Sequence, residues 1–266
     1  MDTNLIVRHF ARIGARALVR VQAPVRRESG VVIDVRRDRE GEFFDLDIAS
    51  GLTLEVSVVD IRPDLRHLLL MSRVGNDRHK FLCGHDERHW FVAAVPEREA
   101  ASSVQTAFEA LKPAAVRQRQ DLLRVKPRKR NRRRNGAFIR QGEWFFVPAS
   151  ASFQPNAKLM LRNEPISRGR GKPHYCEELV RTGGELVYVS IRHPQGLTEE
   201  EYRQLIRNEP RLRSLHWIAQ RRNPEVFVRG KVRHADHKTI ILIGWHQVLM
   251  NTETQAAAMR HVAFID

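Results

Sequence analysis

The sequence predicts an α+β protein made of two β-rich halves with few helices, joined by a highly basic segment. Three observations carry this. Runs rich in β-branched and aromatic residues recur in both halves, several of them alternating with period two. Few stretches carry helical spacing. Nearly all of the formal charge of +15 falls in one segment of 29 residues.

Residues 31–35 and 43–48 are apolar runs flanking a polar turn that ends at Gly41, and they read as a hairpin. Residues 52–58 alternate apolar and polar, as a half-buried strand does. Residues 68–71, 80–83 and 89–95 give three more strands, the last stopped by Pro96. A helix over 97–111 follows, with Val104, Ala107, Phe108 and Leu111 at helical spacing and Pro113 as its end. Residues 1–113 are therefore expected to form an N-terminal domain. The second half opens with a strand signal over 138–148. Thr198 and Glu201 form a capping box, and its helix should end near Asn208, before Pro210. Residues 212–220 read as a further helix, after which 226–228, 239–243 and 245–249 return to strand. Residues 137–266 are expected to form a C-terminal α+β domain, with 114–136 as a basic linker that binds nucleic acid.

The remaining composition excludes several classes. Hydrophobic residues make up 42% and Gly plus Pro only 27 positions, which rules out collagen and wholesale disorder. The apolar runs fall far short of the roughly 20 residues that span a bilayer. The N-terminus lacks the long apolar core of a secretion signal, and two cysteines make no disulfide framework. The expectation is a soluble cytoplasmic protein with reduced thiols.

Between Lys112 and Arg140 there are 12 basic residues and one acid, Asp121, while the rest of the chain holds 34 basic and 30 acidic residues. Clustered like charges repel and oppose burial, so stability does not account for them. Closely spaced phosphates convert such a cluster into affinity through counterion release. Pro127 and Gly136 interrupt any amphipathic stripe, which argues against a membrane surface. The candidate contacts are Arg124, Lys126, Arg128, Lys129, Arg130, Arg132, Arg133, Arg134 and Arg140, with Trp144 as a base-stacking ring. Arg168, Arg170 and Lys172 form a Gly/Arg loop suited to backbone phosphates, and Arg233, His234, His237 and Lys238 a second basic patch.

Nucleophile-elbow, zincin, Walker and dinucleotide-binding motifs are absent. Glu225, followed by Asp236-His237-Lys238, matches the carboxylate pair and lysine of Mg²⁺-dependent nucleases, which makes these three the candidate catalytic set of an alternative reading. Cys83-x-His85 and His174-x-Cys176 form a mirrored pair of soft ligands, and His174 with His234 and His237 a second combination. Buried thiols and turn histidines are the simpler reading, so no metal or other cofactor is expected.

Gln141-Gly142-Glu143-Trp144, then His174, then His234-x-Asp236-His237 resembles a group of uncharacterised bacterial proteins. Those share a Q-G-[DE]-aromatic strand, a His-bearing segment and an H-x-[DE]-H turn. The resemblance covers about half the chain and implies no function. The residues themselves point to a non-enzymatic nucleic-acid-binding protein, a subunit of a ribonucleoprotein or similar assembly. RNA is favoured over DNA, because no helix has the form of a major-groove reader.

Overall fold

The computed structural model describes residues 2–22, 30–50, 54–168 and 171–256. The expected contact Arg170 and the first two residues of the strand expected at 52–58 lie outside them. Among the described residues there are five α-helices and sixteen strands, a β-rich chain.

Asp2 caps α1 (Thr3–Arg12), its carboxylate accepting the Leu5 amide at 3.2 Å. Ile6 and Phe10, one turn apart, face inward, and Gly14 at φ +78° turns the chain into β1 (Arg16–Gln22). β2 (Val31–Asp38) and β3 (Gly41–Ala49) form the expected hairpin, and β1 joins the other edge of β3 in parallel. β4 (Leu54–Arg62), β5 (His67–Val74), β6 (Asp77–Asp86) and β7 (His89–Val95) make an antiparallel meander. Alternation gives this sheet two apolar faces. Leu68, Leu70, Phe81, Cys83 and Val92 pack in the cluster that includes α1 and β1–β3. Leu69, Leu82, Ala93 and Val95 face α2 (Val104–Ala110) instead.

That helix is shorter than the expected 97–111. Ser103 and Thr106 form its capping box, and Asp60 accepts the Val104 amide at 2.7 Å, so the chain enters the helix only there.

Residues 114–136, expected as a basic linker that binds nucleic acid, carry regular structure. They fold as α3 (Ala114–Leu122) and α4 (Pro127–Arg130), with Val116 packed on Ala137, Phe138, Phe145 and Val147. Lys112, 3% exposed, binds the segment from beneath. Its Nζ lies 2.7 Å from Glu109 Oε1, 3.1 Å from Gln120 Oε1, 3.0 Å from the Arg130 carbonyl and 2.7 Å from Asn131 Oδ1. The repulsion expected within the run is relieved mostly by carboxylates from outside it. Arg130 pairs with Glu109 and Asp121, and Arg133 with Asp86 and Glu87.

β8 (Ile139–Gln141), β9 (Trp144–Pro148), β10 (Leu161–Ile166) and β11 (His174–Thr182) belong to the largest sheet. β12 (Glu185–Ser190), β13 (His193–Thr198) and β14 (Ile218–Arg222) form a small sheet beside α5 (Glu199–Asn208). α5 starts at the Thr198–Glu201 capping box and ends at Asn208, as its sequence indicates. Residues 212–220 do not form an α-helix. The Trp217 indole donates to the Leu212 carbonyl at 2.9 Å, closing a 3₁₀ turn, and Ile218 onward pairs with β12. β15 (Glu225–Arg233) and β16 (Ile240–Met250) complete the large antiparallel sheet, in order β10-β11-β15-β16-β9-β8. The two strands expected at its end are one. Exposed Ile243 and Gly244, at φ +77°, bulge out without breaking it. No helix among the described residues is long and apolar enough to cross a membrane.

Candidate functional site

Antiparallel pairing of β11 with β15 sets the start of β11 beside the β15–β16 turn, and the β8–β9 turn, which the register places at the other end of β16, also reaches this turn. Gln141 Nε2 donates to the Lys238 carbonyl at 2.7 Å and locks the β8–β9 and β15–β16 turns together. The β6–β7 turn reaches the same place from the N-terminal half. Its Glu87, at φ +46°, accepts the Lys238 amide at 2.8 Å and pairs with Arg133, so one side chain ties three regions together. A left-handed conformation at a non-glycine residue costs energy, and here those contacts hold it.

A cavity of about 650 Å³ opens beside this junction, between the halves. Phe91, Phe108 and Phe138 supply apolar wall, Lys112 and Arg140 supply charge, and His234, Asp236 and His237 stand at its edge. Three imidazoles gather there. The His174 ring stacks 4.1 Å from His234 and 5.7 Å from His237, and those two lie 4.6 Å apart, centroid to centroid. One nitrogen from each ring lies within 4.8 Å of the others. His174 is 1% exposed, and neither of its ring nitrogens has a hydrogen-bond partner. Burial, reinforced by the other two imidazoles, lowers its pKa to about 3, and burial likewise lowers His237 to about 4. Both rings are neutral at pH 7, with lone pairs available.

The surroundings orient the other two rings. His234 Nε2 sits 3.3 Å from the Lys172 carbonyl, and its Nδ1 accepts the Asp236 amide at 3.1 Å. His237 Nδ1 lies 3.7 Å from Glu87 Oε2. Gly142, in the β8–β9 turn at φ +57°, keeps the space open: a Cβ there would stand 2.9 Å from His237 Nε2 and 3.6 Å from His174 Nε2. Asp236 also lies 2.8 Å from Lys172 and 3.7 Å from His89. Burial works against its charge, but the Lys172 ammonium together with His89 and His234 holds its pKa below the usual carboxylate value.

The expected phosphate contacts divide into two groups. Arg124, Lys126, Arg128, Lys129, Arg132 and Arg134 are exposed, and none has a carboxylate partner among the described residues. The others are engaged. Arg130 and Arg133 pair inward, and Arg140 is half-buried 3.6 Å from Asp86, with its guanidinium over Phe108. Arg168 pairs with Glu253, Lys172 with Asp236, and Arg233 binds Asn163. Lys238 is exposed. His234 and His237 belong to the imidazole cluster rather than to an exposed phosphate-contacting turn. Trp144 is half-buried against the core, its ring 6.4 Å from His174 in an edge-on arrangement.

Glu225, Asp236 and Lys238 have separate contacts: Glu225, at the start of β15, accepts from Gln247 at 2.8 Å, Asp236, beyond the end of that strand, lies against Lys172 and His89, and the Lys238 amide donates to Glu87. Cys83 and Cys176 are buried in different cores, so the mirrored four-ligand site does not form. Burial pushes the Cys176 thiol up to about 12. Sequence reasoning missed Lys112, Glu87, His89 and Gly142. Only Gly142 carried a signal, through its place in the Gln141-Gly142-Glu143-Trp144 motif. Comparison with protein-family models, curated proteins and solved structures returns no match.

Proposed function

We propose that this chain binds nucleic acid through the outward cations of residues 124–134, in and around α4, as a non-enzymatic subunit of a ribonucleoprotein or similar assembly, with RNA favoured over DNA. The observation that carries the reading is the division of the basic run. Nearby acids satisfy Arg130 and Arg133, leaving six exposed cations on a packed support without carboxylate partners among the described residues. Fixed, unpaired cations bind a polyanion with less ordering cost than a flexible tail. The preference for RNA is supported by the helices: α4 has four residues, and α5 opens with three glutamates, so neither suits a major groove. The separate partners of Glu225, which accepts from Gln247, and Asp236, which lies against Lys172 and His89, favour binding over metal-dependent cleavage by that set.

Nucleic acid that co-purifies with the full chain, identified by nuclease sensitivity and sequencing, tests the reading. Enriched RNA that ribonuclease removes is the expected result. Protein free of nucleic acid, with no affinity for labelled RNA or DNA at about 0.1 M salt, would contradict it. Leu122 (80% exposed) and Leu123 (47%) beside the cations favour a second reading, an acidic protein partner with an apolar contact. Leu122→Ser and Leu123→Ser should weaken that partner and leave RNA affinity unchanged.

A further inference from the structure

His174 poses a problem that nucleic-acid binding does not answer. A buried imidazole normally satisfies at least one ring nitrogen, because an unpaired polar group loses its hydration without a hydrogen bond in return. His174 leaves both unpaired while facing two further imidazoles. A glycine keeps the space between the Nε2 atoms of His174 and His237 clear.

The outer contacts fit a metal centre. A metal-bound histidine usually donates its remote N–H to a carboxylate or a carbonyl. His237 has Glu87 at 3.7 Å behind Nδ1, and His234 has the Lys172 carbonyl at 3.3 Å from Nε2. His237 would then bind through Nε2. His234 would bind through Nδ1, exchanging the Asp236 amide for the ion. A tetrahedral ion with bonds of about 2.0–2.1 Å needs nitrogens about 3.4 Å apart. The present separations, within 4.8 Å, require the nitrogens to close by up to about 1.4 Å.

We propose that His174, His234 and His237 bind one zinc-class divalent ion through three imidazole nitrogens, leaving one coordination position open toward the cavity. Donor chemistry selects the class. Three neutral nitrogens suit zinc, cobalt or nickel and do not suit magnesium or calcium, which take oxygen. Cys176 does not supply the fourth ligand, because its sulfur lies in the core of the large sheet. His234 and His237 line the cavity, so the free position faces it and accepts water or an anionic oxygen. Three protein ligands with an open position is the arrangement of reactive rather than structural zinc sites. This inference stands independently of the nucleic-acid reading.

The test uses the full chain, stripped with chelator and titrated with zinc and then with cobalt. We expect one equivalent of zinc per chain by elemental analysis, and a visible cobalt spectrum that shifts when azide is added. His237→Ala and His234→Ala should each lower zinc below about 0.2 equivalents, because a two-imidazole site is weak. His216→Ala, an exposed histidine in another part of the chain, should leave it at one. Circular dichroism checks that each variant folds, and His234 at the turn serves as the safe variant should the buried sites prove disruptive. Wild-type protein without stoichiometric zinc, or full zinc content in folded His234→Ala and His237→Ala chains, would overturn the site. A cobalt spectrum indifferent to azide would overturn its open position.

Discussion

Val116→Ala tests whether the basic run is a packed element. Val116 is fully buried on α3 among Ala137, Phe138, Phe145 and Val147. Removing two methyl groups forfeits about 1.6 kcal/mol of transfer free energy, at about 0.8 per group. The void left behind adds about 0.5–1 kcal/mol, and the better helix propensity of alanine returns about 0.5. The net loss should be about 2 kcal/mol. Urea unfolding followed by circular dichroism reads the global change, and amide exchange across residues 114–136 reads the local one. Leu122→Ala, at an 80% exposed position of the same helix, is the control and should stay within about 0.5 kcal/mol. If Val116→Ala also stays within that limit and exchange in the segment is unchanged, the segment is a solvated linker and the reasoning fails.

Other expectations follow from the same contacts. Arg133→Gln should destabilise the fold by about 1–3 kcal/mol in urea, since it leaves Glu87 and Asp86 short of a partner while keeping a third of its own surface in water. Its effect on the salt dependence of RNA binding should be nil. Gly142→Ala places a Cβ against His237 at a left-handed backbone position, so stability should drop by about 1 kcal/mol and zinc affinity by about tenfold or more. Unchanged zinc affinity there would count against the imidazole site. Burial lowers the His67 pKa to about 4, against about 6.5 unfolded. Between those values the unfolded chain takes up a proton that the folded chain refuses, so stability falls as pH drops from about 6.5 to about 4. His67→Asn should remove up to about 3 kcal/mol of that decline, measured as the difference between the two urea–pH profiles.

The hairpins and the meander were legible because their side chains alternate and their turns carry polar residues or glycine. α5 was legible because Thr198 and Glu201 mark its start. α1 was missed, since two buried residues in ten give too short a stripe, and β1 was missed because a parallel partner leaves no turn signal. The helix expected at 212–220 fails for a tertiary reason: Trp217 packs on His193 and Tyr202 and draws the chain into a strand. Counting charge along the chain exposed the basic run but not its partners, because Asp86 and Glu87 lie more than 40 residues away in sequence. The histidines were visible as a turn pair and a distant third. Only the antiparallel pairing of β11 with β15 puts His174 beside them.

The salt dependence of RNA binding tests the central claim most directly. Fluorescence anisotropy would compare the natural chain with one carrying Gln at Arg124, Lys126, Arg128, Lys129, Arg132 and Arg134. Each lost phosphate contact should flatten the slope of log K against log salt by roughly 0.7–0.9, or roughly 4–5 in all if each cation makes one contact. We expect that flattening with the fold intact by circular dichroism. An unchanged slope in the folded variant would contradict nucleic-acid binding by this face.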